Sequence, residues 1–164
     1  MEKPTPDFWF DTDSFVTPSR GPYRFATLPK FWKFLELKAT ERVIASSEIV
    51  LDELLRGDDE LAEWAKRQQG ILFMSPGQAV QKVFRQVAEN VKNSNRYAAH
   101  HVASFLNGAD PWVIAHAKAS GGRVVTFEKP EPASTKPKIP DVAFEFGVEC
   151  INLWDFITEL HASF

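Results

Sequence analysis

The stretch FWFDTDSFV, residues 8–16, sets two carboxylates directly after three large aromatic residues. The run Phe8–Phe10 has the length and composition of a short buried strand. A carboxylate is costly to bury beside such a run unless hydrogen-bond donors or a cation meet it. We therefore interpret Asp11 and Asp13 as candidate functional residues at the end of a first strand, and we expect compensating partners around Asp11.

Outward from this stretch, strand-like and helix-like segments alternate along the chain. Apolar runs predict further strands at RVIAS, ILFMS, RVVTF and VECINL, with helical segments between them. Strands separated by helices indicate a mostly parallel sheet of about five strands covered on both faces. The sequence therefore predicts the α/β class with three layers, α/β/α, in a single domain over residues 1–164.

Helices are predicted from periodicity and from capping residues. Asp110 precedes Pro111 and is expected to cap its helix, although a cap can also bind a ligand. Two stretches rich in Gly, Pro or Ser, VTPSRGPYRFATLP and KPEPASTKPKIPD, are predicted to be loops. The predicted helices are KFWKFLELKA after Pro29, EIVLDELLRG, DDELAEWAKRQQG, the segment from Pro76 to about Asn95, DPWVIAHAKAS and WDFITELHASF.

Composition narrows the class of protein. No run approaches the roughly 18 apolar residues of a membrane span, and the first residues lack a signal-peptide pattern, so we expect a cytoplasmic protein without a membrane anchor. The single cysteine, Cys150, excludes an internal disulfide and a cysteine-based zinc site. A net charge of −3 argues against binding nucleic acid by bulk electrostatics, but it is compatible with a nuclease that has an acidic metal site.

Several acidic residues are expected at the carboxyl ends of the strands, where open parallel sheets bind ligands. Carboxylates about 4 Å apart repel by about 4 kcal/mol per pair at an effective dielectric near 20, so a cation is expected among them. Hard oxygen ligands favour Mg²⁺ or Mn²⁺, and phosphodiester hydrolysis is the chemistry that such ions serve. Simpler roles stay open for each residue: a solvated helix face, a turn or a surface charge. The candidates are Asp11, Asp13, Asp110, Glu128 and Asp141, and the helix after the second strand adds three acidic residues, Glu48, Asp52 and Glu53, among which position alone does not choose.

Cationic residues follow one face of the helix predicted to begin at Pro76. They are candidates for binding single-stranded RNA, and a solvated face is the competing interpretation. Metal ligation by histidine is not supported, since the four histidines lack ligand spacing, and the sequence contains no nucleophile elbow or phosphate-binding loop. The candidate RNA-binding residues are Lys82, Arg85, Lys92 and Arg96, with Lys138 from the proline-rich loop.

The order of these acidic motifs resembles that of PIN domains, which are metal-dependent ribonucleases with a three-layer α/β/α fold. FWFDTD resembles their opening strand, with Asp13 where Asn is usual, and IVLDELLRG supplies Glu53. The segment ADPWVIAHAKASGGRVVTFE supplies Asp110 and Glu128. Glu128 stands where PIN domains usually have Asp. Asp141, at the end of the proline-rich loop, stays open as the alternative fourth acid.

The resemblance implies a Mg²⁺- or Mn²⁺-dependent endoribonuclease in which Asp11, Glu53, Asp110 and Glu128 are catalytic. It also implies a toxin that is silenced by an antitoxin protein, and it allows a homodimer. Two alternatives stay open. One is a haloacid-dehalogenase-like phosphatase with Asp11 as nucleophile, although Phe15 breaks that motif. The other is a PIN-like binding module without catalysis.

Overall fold

The strands of the protein form one parallel sheet. The computed structural model describes residues 4–164, and within them the strands are β1 (Phe8–Phe10), β2 (Ile44–Ser47), β3 (Phe73–Met74), β4 (Arg123–Val125) and β5 (Cys150–Ile151). All neighbouring pairs are parallel, in the order β3-β2-β1-β4-β5. The predicted α/β class and the parallel five-stranded sheet are confirmed.

Helices flank this sheet. The described residues form α1 (Asp13–Arg20), α2 (Pro29–Thr40), α3 (Glu48–Leu55), α4 (Glu60–Arg67), α5 (Gln78–Asn93), α6 (Ala99–Asn107), α7 (Asp110–Ser120), α8 (Ile139–Glu145) and α9 (Leu153–Glu159). The arrangement agrees with the predicted three layers, α/β/α.

The central strand β1 packs on both faces of the sheet through alternate side chains. Phe8 and Phe10 both contact Phe156 of α9, with ring centroids 4.8 Å and 5.2 Å apart. Trp9 points to the opposite face, where it stacks on His116 of α7 at 4.5 Å. This alternation follows from the two-residue period of a strand, and it explains why three consecutive aromatic residues are all buried.

His116 is a packing residue. Its side chain is buried, and Nε2 has no hydrogen-bond partner among the described residues. Burial lowers the pKa of His116 to about 4, so the ring that stacks on Trp9 is neutral near neutral pH.

The first predicted loop is wrong over residues 16–20, which belong to α1. The predicted loop as a whole, residues 16–29, is rich in Gly, Pro and Ser, but Pro18 is buried in α1, and the preceding Phe15 is buried as well and contacts Phe10 at a ring-centroid distance of 5.2 Å. Tertiary packing therefore overrides the local preference for a loop.

The second predicted loop also ends earlier than expected, since α8 begins at Ile139. Pro140 lies in its first turn, where the missing N–H has no helical partner to lose.

Two further helices differ from the prediction. The helix α6 is absent from it, and α5 ends at Asn93, short of the predicted Asn95. Within residues 4–164, no helix combines the length and the apolar character needed to cross a bilayer.

Gly122 lies where β1 and β4 begin to pair. A Cβ atom on Gly122 would come within 2.9 Å of the carbonyl oxygen of Pro6 and 3.0 Å of that of Asp7. The next residue, Arg123, donates its backbone N–H to Asp7 O over 2.8 Å. The backbones therefore approach too closely for any side chain at this position.

We predict that Gly122→Ala lowers the free energy of unfolding by about 1–3 kcal/mol, because the β1–β4 backbones have to separate to admit the methyl group. Urea denaturation followed by circular dichroism measures this change. Gly21→Ala is the matched control, since its nearest non-neighbouring atom lies 3.7 Å from the added Cβ. Equal stability of the two variants would contradict the close approach at Gly122.

Candidate functional site

The candidate site lies at the carboxyl edge of the sheet, where the order of connection reverses. β1 pairs with β2 on one side and with β4 on the other. Open parallel sheets bind ligands in the crevice outside the strand ends at such a point. Asp11 follows β1, and Thr126 and Glu128 follow β4, so the sheet brings these residues to one edge.

Asp11 is buried, with 3% of its surface exposed, and hydrogen-bond donors at the start of α1 meet its carboxylate. Oδ1 accepts from the backbone N–H of Ser14 over 2.9 Å and from the Ser14 hydroxyl over 2.7 Å. Burial raises the pKa of Asp11 to about 6, and the bonds from Ser14 offset only part of this rise. Donors thus compensate this carboxylate, as the sequence predicts.

Glu53 reaches the same edge from α3. The hydroxyl of Thr12 donates to Glu53 Oε1 over 2.6 Å, and the backbone N–H of Ala109 donates to Oε2 over 3.3 Å. Thr12 follows Asp11 and Ala109 precedes Asp110, so Glu53 bridges the end of β1 and the start of α7. It does not belong to a solvated helix face.

Asp110 does not cap α7 with its side chain, and the predicted cap is wrong. Ala109 already has helical backbone angles, φ −81° and ψ −22°. An N-cap side chain reaches the free N–H groups of the first turn from an extended backbone, which the chain does not adopt here. The N–H groups in the first turn of α7 therefore do not hydrogen-bond the carboxylate of Asp110.

The carboxyl group of Asp110 lies among four other acidic side chains. Burial of the carboxyl group raises its pKa most, and the charges of Glu128, Asp11, Glu53 and Asp13 add to this rise in decreasing order, to a value of about 8. Asp110 is partly buried, whereas Asp13, on the first turn of α1, is exposed. The fold thus brings together five of the six predicted acidic residues, namely Asp110 and four neighbours.

The two alternatives for the fourth acid occupy different surroundings. Glu128 lies near Asp110, and its Oε2 accepts the backbone N–H of Ile139 over 2.7 Å. Asp141 accepts the backbone N–H of Glu131 over 2.8 Å and lies 3.7 Å from the guanidinium of Arg96. The structure therefore groups Glu128 with the acidic residues and places Asp141 in the first turn of α8, where it contacts the proline-rich loop and Arg96.

These acidic residues have the chemistry of a hard-cation site, although they do not form a ready-made one. Within residues 4–164, no three Asp, Glu, His or Cys side chains lie close enough together to hold a metal ion. In the same part of the chain, no Lys or Arg forms an ion pair with Asp11, Glu53, Asp110 or Glu128. Their charge is uncompensated by cationic side chains, and carboxylate oxygens are the ligands that Mg²⁺ and Mn²⁺ prefer.

The predicted basic stripe is divided by the structure. Lys82, Arg85 and Lys92 are exposed on α5, which packs on α7 through the stacked rings of Phe84 and Trp112. These cations are free of ion pairs among the described residues.

Arg96 lies beyond the end of α5 and is not part of an exposed stripe. Its guanidinium donates to the carbonyl oxygens of Glu131 and Ser134 over 3.1 Å and 3.4 Å, which fixes the proline-rich loop. Lys138, the remaining candidate, is the partly buried N-cap residue of α8.

Sequence reasoning missed the hydroxyl residues that support the acids. Thr12 and Ser14 alternate with the acidic residues in DTDS, and Thr126 accepts the backbone N–H of Glu128 over 3.1 Å. The detectable signal was a small hydroxyl residue beside each strand-end acid. Such residues orient carboxylates in metal sites and in other polar sites alike.

The fold and the strand-end acids together define an α/β protein with an acidic site at the switch point of a parallel sheet. Comparison with families of known proteins adds one finding. The model of the family described as "Domain of unknown function (DUF4411)" matches residues 8–164, and the chain belongs to this family. A search of curated proteins gave no match.

The raised pKa of Asp110 predicts how stability depends on pH when metal is removed. An unfolded chain ionises this carboxyl near its ordinary pKa of 3.8, and the folded protein does so near 8. Between these values the folded state holds a proton that the unfolded state has released, so rising pH favours unfolding. In the presence of EDTA, we expect Asp110→Asn to exceed the wild type by about 1–3 kcal/mol in free energy of unfolding at pH 8.

Urea denaturation at pH 5 and pH 8 checks this expectation, and the difference between the proteins should be smaller at pH 5. Asp52→Asn serves as the control, because it makes the same chemical change at a carboxylate that is exposed on α3. If the difference in free energy of unfolding between Asp110→Asn and the wild type were the same at pH 5 and pH 8, the conclusion that Asp110 is buried among like charges would be wrong.

Proposed function

We propose that the chain is a divalent-metal-dependent ribonuclease of the PIN type that cuts single-stranded RNA. The observation that carries the proposal is the convergence of Asp11, Glu53, Asp110 and Glu128 at the carboxyl edge of the sheet, with no cationic side chain paired to them in the described residues. Structural acids are usually paired or solvated, so this arrangement favours a cation from solution.

Asp11, Asp110 and Glu128, supported by Glu53, would hold one or two Mg²⁺ or Mn²⁺ ions. Such ions, when bound, lower the pKa of a coordinated water and neutralise charge on a phosphate that is under attack. We leave Asp141 out of this set, since its carboxylate is occupied by the loop backbone and Arg96.

The surrounding residues orient these ligands. Ser14 donates two hydrogen bonds to Oδ1 of Asp11, and the Ile139 N–H holds Oε2 of Glu128. Glu53 is fixed at both carboxylate oxygens, which favours a supporting role over direct ligation. Supporting hydrogen bonds of this kind set the direction of a ligand and its basicity.

The phosphatase alternative is favoured less by the geometry. Phe15, which interrupts the phosphatase motif, is a fully buried core residue. A phosphorylated Asp11, detected by mass spectrometry after incubation with a phosphate donor, would favour that alternative over ours.

The biological role is part of the same proposal and is supported by the resemblance to PIN domains. We propose a cytoplasmic toxin whose RNA cleavage is silenced by an antitoxin protein. Expression of the active chain alone should then arrest growth, and expression of an Asp110→Asn variant should not.

We predict that the purified chain cleaves single-stranded RNA with Mg²⁺ or Mn²⁺ and that EDTA abolishes the reaction. Asp11→Asn and Asp110→Asn should each lower kcat/KM at least about 100-fold, because each removes a charged ligand from the reacting centre. Asp141→Asn is the matched control and should change kcat/KM by less than about threefold. Gel assays with labelled RNA measure the rates, and circular dichroism verifies folding.

The same variants separate the proposal from a non-catalytic binding module. Isothermal titration with Mn²⁺ should detect binding to the wild type and weaker binding to Asp110→Asn. If both Asn variants keep wild-type Mn²⁺ affinity, and no cleavage is measured, the binding module is correct and the nuclease is not.

The exposed cations of α5 give a further prediction. Reversing the charge of Lys82, Arg85 and Lys92 together should weaken RNA binding, and the slope of log Kd against log salt should fall by about 0.7 for each phosphate that is no longer neutralised. Reversal of Lys66, which is exposed on α4, is the control for net charge. Fluorescence anisotropy at several salt concentrations measures both quantities. An unchanged slope would show that these cations belong to a solvated helix face and do not bind RNA.

A further inference from the structure

An open groove of about 950 Å³ runs beside the acidic site along the edge strand β5. Thr126 and Glu128, at the end of β4, line one end of it. Three aromatic side chains also line it: Phe127 from the same segment after β4, Phe144 on α8 and Trp154 on α9. The groove is therefore continuous with the site proposed for cleavage.

Two of these aromatic residues expose far more surface than packing requires. Phe144 is 83% exposed and Trp154 is 43% exposed. Trp154 is held in place by Tyr23 and Phe127, whose ring centroids lie 5.1 Å and 5.4 Å from its own. Two exposed aromatic rings thus line the same groove, and exposed apolar surface of this kind marks binding surfaces.

The charges along the groove indicate which part of a nucleic acid, the phosphate backbone or the bases, the groove can bind. Lys129 lies next to the acidic site, whereas Glu149 and Asp155 line the groove further along. These two carboxylates repel phosphate, so a nucleic acid would have to turn its backbone away from this part of the groove. A neutral, planar nucleobase is compatible with both the aromatic rings and the carboxylates.

We propose that this groove binds unpaired nucleobases of the RNA strand, next to the phosphate that is cleaved, by stacking on Trp154 and Phe144. The inference rests on the proposed function and specifies its substrate class. Bases in a duplex are stacked on each other and cannot enter such a groove, whereas those of a single strand can. The substrate is therefore unpaired at the nucleotides that flank the cleaved bond.

A peptide of a partner protein is the competing occupant. An extended peptide would add to the free edge of β5, but β5 comprises only Cys150 and Ile151 and offers few backbone groups for pairing. The groove volume falls within the range of about 300–1,000 Å³ found for small-ligand sites. Together with the shared residue Glu128, these features favour nucleotides over a protein strand.

The test uses the full chain with the variants Phe144→Ala and Trp154→Ala. Each should raise KM for single-stranded RNA about tenfold and leave kcat within about threefold, because stacking stabilises the bound substrate and the transition state equally. Trp154→Phe retains an aromatic face and should restore most of the affinity. Ile71→Ala is the matched control, since Ile71 is 44% exposed and lies beside β3 at the opposite edge of the sheet.

A binding measurement separates failure of this inference from failure of the proposed function. Anisotropy of a labelled single-stranded RNA is recorded for each variant in EDTA, where no metal-dependent cleavage occurs. Weaker binding by Phe144→Ala and Trp154→Ala supports the groove even if the wild type never cleaves RNA. Cleavage with unchanged KM and unchanged RNA affinity in both variants overturns the groove and leaves the nuclease intact. If the two variants keep full RNA affinity but bind an antitoxin protein more weakly, the inference is wrong and the groove belongs to that protein.

Discussion

The parallel pairing of β1 with β4 is the constraint on which the rest of the structure depends. β1 is buried on both faces, and its residues Phe8 and Trp9 pack in opposite directions. The absence of a side chain at Gly122 lets the two strands start together. Because their register is fixed at that end, the residues after both strands emerge side by side at the carboxyl edge. The acidic site is a consequence of this register.

Electrostatics at that edge opposes the folding that creates it. Burial and like charges raise the pKa of Asp110 to about 8, and burial raises that of Asp11 to about 6. Backbone and hydroxyl donors compensate part of this charge: Ser14 for Asp11, and Thr12 for Glu53. A protein with no need for these carboxylates would be more stable with amides in their place, and this argument supports a role for them in function.

The segment between β4 and β5 links the acidic site to the groove. Arg96 and Asp141 hold its proline-rich part through backbone groups, and Ile139 bonds the carboxylate of Glu128. α8 then presents Phe144 to solvent beside the groove. The segment therefore contributes both Glu128 of the acidic site and Phe144 of the groove.

Local patterns in the sequence were sufficient for the class of fold, because strands and helices that alternate in the chain have few ways to bury their apolar faces. They were also sufficient to select the acids at the strand ends, since a carboxylate after a buried strand needs compensation. They failed for α1, α6 and α8, where packing of residues such as Phe15 outweighs loop-like composition.

Only the tertiary structure decided which acids meet. Sequence analysis named Glu128 and left Asp141 open as its alternative, whereas in the structure Glu128 lies near Asp110 and Asp141 pairs with Arg96. It likewise decided that Asp110 does not cap its helix, since the backbone angles of Ala109 are set by packing. The sequence alone determined which residues carry charge and which prefer burial. Proximity between residues far apart in the chain depends on strand order and register, which arise from the packing of the whole core.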